Sequence, residues 1–388
     1  MESAEPVFLG EKKKILILSS KGGYGHMAAS LSIQEVFQGR YEFQEMFPIE
    51  EINRLGRGFG ENLYNNLLQN DWIRMTNFLS SRLAPLIFQA RKGAIESLVR
   101  EKIEKERPDL ILSLIPFVNY PASEAARKQG IPYLLVTTDN DLSHWTLGME
   151  KATHLGLKVT IGRDLPLTRG VLAKHNIRKE QIEVIGLPVH PAFLEKKDPL
   201  FIREEFSIPA GKPVVLLMMG GAGGKRAIEY AEKLRDIKLP IHVVICTGNN
   251  HALYQKMLSL TKEQKEVSFS ILSFTNRIAD LMQVADLLIT KPGPGTINEA
   301  MLRQLPILVD NASSTLVWER VNQELVEEMG IGQVLHTIED LKEPVAKYLL
   351  DTAVISRVAN AYRSICLPSF FDHIVRVVES LLDPVYRR

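Results

Sequence analysis

Ala285-Asp286-Leu287-Leu288-Ile289-Thr290-Lys291-Pro292-Gly293-Pro294-Gly295-Thr296-Ile297-Asn298-Glu299-Ala300 is the stretch on which the fold turns. Its first part, Leu287–Thr290, is a short apolar run, as expected of a strand buried on both faces. Its last part opens a helix expected over Ile297–Arg303. Between them the prolines and glycines at 292–295 impose a tight loop. The free amides at the helix start make a seat for phosphate. Glu299 falls in the expected first turn. Two roles are open to it: accepting hydrogen bonds from ribose hydroxyls, or offsetting the helix dipole.

The same alternation extends outward in both directions. Strands are expected at Lys14–Ser20, Leu110–Leu114, Tyr133–Thr137, Ala152–Leu157 with Val159–Ile161, and Ile182–Ile185. A second set follows at Pro213–Met219, Ile241–Cys246, Val267–Leu272 and Pro306–Val309. Amphipathic stretches between them include Ala28–Phe37, Gly93–Lys105, Ala122–Lys128, Ala227–Leu234, Ala252–Leu260, Ile278–Ala285 and Glu319–Met329. Strands alternating with helices imply βαβ units and parallel sheets, an α/β chain of two Rossmann-like halves. Pro188–Leu200, with three prolines and the run Glu195-Lys196-Lys197-Asp198, reads as the linker. The expected division is residues 1–190, residues 200–365, and a terminal piece 366–388 whose helix packs back on the first half.

A chain of 388 residues suits two domains, and 45% hydrophobic with 24% charged residues is ordinary for a globular protein. Lys+Arg 47 against Asp+Glu 46 leaves +1, which gives no global field to attract nucleic acid. Cys246 and Cys366 make neither a disulfide framework nor a zinc cluster, and a reducing compartment fits. Met1–Gly10 lacks the basic-then-apolar order of a signal peptide. The longest apolar stretch, Leu110–Val118, is far short of the ~20 residues that span a bilayer. A cytoplasmic protein is expected.

Three further strand-to-helix junctions are rich in glycine. Ser19-Ser20-Lys21-Gly22-Gly23-Tyr24-Gly25-His26 follows the first strand. It is not a Walker A loop. It fits GxGxxG only with Ala28 at the third glycine, so a dinucleotide site stays open. His26 at a helix start is either a base for an incoming hydroxyl, kept neutral by the helix N-terminus, or a cap. The others are Met219-Gly220-Gly221-Ala222-Gly223-Gly224 and Cys246-Thr247-Gly248-Asn249-Asn250.

Taken in order, Gly22–His26, then Gly186-Leu187-Pro188-Val189-His190-Pro191, then Met219-Gly220-Gly221, then Phe274 to Glu319 resemble a family-28-type glycosyltransferase of the GT-B fold. The likeness covers roughly residues 14–365 and is densest at 286–306. That densest stretch closely resembles the donor-binding segment of monogalactosyldiacylglycerol synthases and processive diacylglycerol glucosyltransferases. The resemblance implies two Rossmann-like domains facing across a cleft, with a UDP-sugar in the second and an acceptor in the first. By that resemblance, Glu299 holds the ribose, and Gly293, Pro294, Gly295 and Thr296 hold the diphosphate. The backbone at Ser273-Phe274 meets the uracil, and Gly221 and Asn249 belong to the donor side. Glu319 and Asn322 match sugar-contacting positions, with Trp318 where the family has glutamine. An indole cannot donate and accept around a sugar as an amide does, which leaves the sugar open. Gly23, Tyr24, Asp139, His144 and Trp145 fall on the acceptor side, and His26 matches the base. The implied reaction inverts the anomeric centre, takes the UDP-sugar as co-substrate and needs no essential metal. Asp139-Asn140-Asp141 is therefore not read as a metal motif. Met27 and Ile115-Pro116 depart from the family's acceptor residues, which leaves the acceptor open too.

Residues 52–100 carry apolar residues at helical spacing and seven basic against three acidic residues. Trp72, Phe78, Arg82, Phe88, Arg91 and Lys92 suit a segment lying on an anionic membrane. A helical cover packed on the first domain is the other reading. The expected function is hexose transfer from a UDP-sugar to a lipid acceptor such as diacylglycerol, giving a β-linked glycolipid at the inner face of a membrane. Two alternatives remain. One is a UDP-N-acetylglucosamine enzyme of the same fold, either a peptidoglycan-precursor transferase or an epimerase. The other is an inactive nucleotide-sugar-binding relative.

Overall fold

The computed structural model describes residues 12–21, 24–55, 72–152, 154–220, 226–261, 266–312, 315–339 and 341–383. Within them lie two six-stranded sheets, parallel throughout. The first holds β1 (Lys14–Leu18), β2 (Glu42–Met46), β3 (Leu110–Ser113), β4 (Tyr133–Val136), β5 (Leu157–Ile161) and β6 (Ile182–Val184), in the order β2-β1-β3-β4-β5-β6. The second holds β7 (Val214–Met218), β8 (His242–Cys246), β9 (Ser268–Leu272), β10 (Leu287–Thr290), β11 (Ile307–Asp310) and β12 (Gly332–Leu335), in the order β12-β11-β10-β7-β8-β9.

Both orders reverse once, between β1 and β3 in the first sheet and between β7 and β10 in the second. At such a switch point the flanking connections leave on opposite faces, and a crevice opens beyond the carboxyl ends of the strands. The strands beside the two switch points are dry. Ile15, Leu16, Ile17, Leu18 and Leu287, Leu288, Ile289 are wholly buried. The strands expected from the sequence are joined by two more, and one of the expected strands is shorter. Both additions are edge strands: β2, Glu-Phe-Gln-Glu-Met, mostly accessible, and β12. β12 opens on Gly332, where a Cβ would run into the Ile307 carbonyl. The strand expected from Ala152 starts only at Leu157, after a turn at Leu155 and Gly156.

The stretch read as a linker also folds further than expected. Asp198 caps a helix over Pro199–Glu205, its carboxylate accepting from the Leu200 N–H. Near the other end, Ser369 caps the helix Phe370–Leu382. Phe370, Ile374, Val377, Val378, Leu381 and Leu382 recur at helical spacing and join Ile15, Ile17, Leu110, Leu112 and Val136 in one core cluster. Each such side chain contributes roughly 1.5–3 kcal/mol by leaving water. The chain therefore crosses from the first sheet to the second after β6 and returns before this helix. The two crossings touch. Gly186 has φ +88°, and a Cβ there would lie 2.9 Å from the Pro368 carbonyl oxygen.

Candidate active site

The first-domain rim is built on the ends of β1, β3 and β4. The helix Tyr24–Val36 starts shortly after β1, and His26 is its third residue. A ring nitrogen of His26 hydrogen-bonds the Leu114 backbone beyond β3, and Nδ1 lies 3.4 Å from Thr138 Oγ1 beyond β4. Burial pushes this imidazole down to about 4, against the opposing pulls of Leu114 and the Glu50 charge. The cause is desolvation of the ring. The ring is thus neutral near pH 7. Gly23 lies outside the described residues, as does the side chain of Tyr24.

Asp139 follows β4. Its Oδ2 accepts from Trp145 Nε1 at 3.0 Å. Burial lifts its carboxyl to about 7; the negative Glu319 and Asp141 add to the rise and Lys291 opposes it. Trp145, expected on the acceptor side, is only 2% exposed. That expectation needs correcting: its indole stands behind Asp139, with its ring 6.0 Å from His26, and offers almost no surface to a ligand. Asp141 accepts from the Ser143 N–H and hydroxyl, so its carboxylate closes a local turn. His144 is partly buried, and burial lowers its pKa. Its ring sits between Phe117 at 4.8 Å and Trp318 at 6.1 Å.

The second-domain rim is built on β7, β10 and the chain after β11. Gly220, at φ +86°, holds a backbone conformation that favours glycine, and Lys291 Cε lies 2.8 Å from where a Cβ would stand. Lys291 passes over it to meet Glu319, Nζ to Oε1 at 3.0 Å. Gly221 lies outside the described residues. The helix after β10 begins earlier than the sequence suggested, at Pro294, with Gly293 as its N-cap. Proline suits the first helical position because its missing N–H has no partner there anyway. Gly293, Pro294, Gly295 and Thr296 are therefore cap and first turn, and the amides of that turn point out of the helix. Glu299 sits in the second turn, which removes dipole compensation as its main role. Its carboxyl takes no hydrogen bond among the described residues, and burial alone lifts it to about 7.

Asn322 was expected against a sugar, and the geometry corrects this. The residue is wholly buried. Its Nδ2 donates to the Pro292 carbonyl at 2.9 Å, and its Oδ1 accepts from Asn140 Nδ2 at 2.8 Å. Its amide is a strut between domains. Glu319, also buried, and the partly buried Trp318 remain at the cleft. Asn249 is exposed beyond β8, beside Asn250, whose Oδ1 caps the next helix through the Leu253 N–H at 3.0 Å. Phe274 is exposed beyond β9. Every described site residue lies beyond the carboxyl end of a strand, or in the chain leading from one, and His26 and Lys291 flank the two switch points.

Sequence reasoning missed Lys291, Asn140, Thr138 and Phe117. Lys291 stood in the quoted loop, and the two glycines its stem passes were the available signal. The others acquire meaning only through contacts distant in sequence.

The segment Ile73–Ala90 is helical, with a π-turn at Leu79–Leu83. Trp72, Met75, Phe78 and Leu86 are exposed, as are Arg82 and Lys92, while Arg91 is partly so. Phe88 is a correction. It packs on the first core and stacks on Phe117, centroids 5.0 Å apart, so it faces inward. No helix among the described residues is long and apolar enough to cross a membrane.

Residues 215–361 match the glycosyltransferase family 28 C-terminal domain. That match falls on the second domain. Beyond it the likeness extends through the first. Monogalactosyldiacylglycerol synthase 1, chloroplastic, of Arabidopsis thaliana is 28% identical over 362 residues, 87% of this chain. The chain spans 64% of that protein's length. The processive diacylglycerol beta-glucosyltransferase of Bacillus cereus is 23% identical over 375 residues, covering 94% of this chain and 93% of its own. The crystal structure of MurG from Acinetobacter baumannii matches with a TM-score of 0.63 at 13% identity, covering 95% and 99% of the two chains. The fold is GT-B, two Rossmann-like domains across a cleft, and the chain is related to galactolipid and glucosyl-diacylglycerol synthases.

Proposed function

We propose that this protein is an inverting transferase that moves a hexose from a UDP-sugar to a lipid hydroxyl, such as that of diacylglycerol, giving a β-linked glycolipid. The observation that carries the reading is the opposition across the cleft. A neutral, desolvated imidazole, His26, stands on one switch point. A helix N-terminus and the Lys291–Glu319 pair stand on the other.

The chemistry follows from that opposition. The acceptor hydroxyl gives its proton to the neutral imidazole of His26 as its oxygen bonds to the anomeric carbon. The bond from that carbon to the diphosphate breaks on the opposite face, which inverts the centre. UDP leaves with its electron pair, its charge met by the amides of Gly295 and Thr296 and the helix dipole. The arriving diphosphate also raises the basicity of His26 above its resting value. Glu299 takes the ribose hydroxyls and Phe274 stands beside the base. Glu319, held by Lys291, takes a sugar hydroxyl, and Trp318 lies along the sugar face. Asp139 and His144 line the acceptor side. The donor is a co-substrate, and no metal is assigned a step. The exposed Trp72 and Phe78 with Arg82, Arg91 and Lys92 rest on an anionic membrane from the cytoplasmic side.

The test is incubation of the full chain with a panel of UDP-sugars and diacylglycerol vesicles, with product glycolipid identified by mass and linkage. A β-linked hexosyl lipid from one UDP-sugar is expected. Tight NAD(H) binding with no affinity for UDP overturns the proposal. For the membrane face, vesicle flotation should require anionic lipid and weaken in Arg91→Ala/Lys92→Ala.

A further inference from the structure

Asn77 lies in the helix Ile73–Phe78, in the chain between β2 and β3 of the first sheet, yet both polar ends of its amide are used on the second domain. Its Nδ2 donates to the Thr315 carbonyl at 2.9 Å, and its Oδ1 accepts from the Val317 N–H at 3.0 Å. Thr315 is fixed from inside the second domain as well. Its hydroxyl donates to Asn311 Oδ1 at 3.0 Å and accepts from Gln323 Nε2 at 3.1 Å. Asn77 is fixed from its own side, since neighbouring Thr76 is buried and donates to the Trp72 carbonyl at 3.1 Å. Trp318 and Glu319 follow at once, in the single 3-10 turn Val317–Glu319.

The same stretch of chain reaches this turn by a second route. Phe88 stacks on Phe117, Phe117 tilts on His144, and His144 meets Trp318 edge-on. Phe117 holds its place at φ +69°. That is a costly backbone state for a bulky side chain, kept only where surroundings enforce it.

We infer that Asn77 is a positioning residue: it grips the backbone on either side of Leu316 so that Trp318 and Glu319 are presented to the donor sugar. The use made of that turn rests on the proposed transferase reading; the grip itself does not. An amide is the group that fits, because one end must donate to a carbonyl while the other accepts from an N–H. Aspartate keeps the second bond and turns a negative charge on the Thr315 carbonyl. Alanine keeps neither.

The experiment compares the full-length wild type with Asn77→Asp and Asn77→Ala by two readouts. Amide exchange at Val317 should quicken by about ten-fold in Asn77→Ala and less in Asn77→Asp. The donor KM should rise in the same order, by about ten-fold in Asn77→Ala, with acceptor KM and vesicle flotation unchanged. Wild-type exchange at Val317 in Asn77→Ala overturns the grip. Faster exchange with an unchanged donor KM overturns its positioning role. If the wild type transfers no sugar, the transferase reading fails, and Val317 exchange still decides the grip.

Discussion

The two rims of the cleft handle charge in opposite ways. On the first domain, His26 and Asp139 are both driven toward neutrality by burial, the imidazole down to about 4 and the carboxyl up to about 7. On the second, Lys291 and Glu319 face each other as an ion pair at 3.0 Å, beside a helix N-terminus. A group that must exchange a proton benefits from a dry setting that keeps it poised. A surface that must receive a phosphate benefits from fixed charge already compensated. Glu299 is the exception on the second rim, since burial alone raises it.

The sharpest way to test this division is His26→Ala. Transfer should fall by about 10²–10⁴-fold while calorimetric UDP affinity stays at the wild-type value. A parallel loss of UDP affinity would erase the contrast between rims. Next in size is Asn140→Ala, which strips the wholly buried Asn322 of a donor across the cleft. Urea unfolding should show a loss of about 1–3 kcal/mol. An effect near zero would mean that the strut carries no load. Lys291→Met should cost about 1–2 kcal/mol by the same assay, because Glu319 is buried while the lysine end is still reached by water.

The smallest effect expected is in the pH dependence of stability. Asp139 and Glu299 hold their protons to higher pH folded than unfolded. Their stabilising contribution is whole below about pH 4 and is lost as pH climbs to about 7. Asp139→Asn/Glu299→Gln removes that loss. Between about pH 5 and about pH 8, the variant's unfolding midpoint should change more favourably than the wild type's. His26 contributes with the opposite sign: its folded form resists protonation, so stability falls as pH drops from about 6.5 to about 4. Identical slopes in both proteins would show that these carboxyls are as well solvated as those of the unfolded chain.

Legibility followed burial. Central strands such as Ile15–Leu18 and Leu287–Ile289 announce themselves because both faces are dry. Edge strands do not: Glu42 and Glu45 break the apolar run of β2, and Gly332 opens β12 for a steric reason that only its neighbour reveals. Helix starts misled in one instructive case. Pro294 and Gly295 look like loop residues, yet Pro294 opens the helix, and that shift moved Glu299 by a turn. His26, Glu299 and Glu319 could be picked out from motif order. Lys291, Asn140 and Asn77 could not, because their partners lie 28, 182 and about 240 positions away.

The chain passes between its two lobes twice, and at Gly186 and Pro368 the passages lie against each other. Lobes joined by one thread can swivel about it and lose their facing. Joined by two threads in contact, they keep mainly the freedom to part and meet, as a door does on its frame. The mouth of the cleft can then widen and still shut on the same alignment of opposing rims. Glycine at 186 is what lets the two threads lie that close.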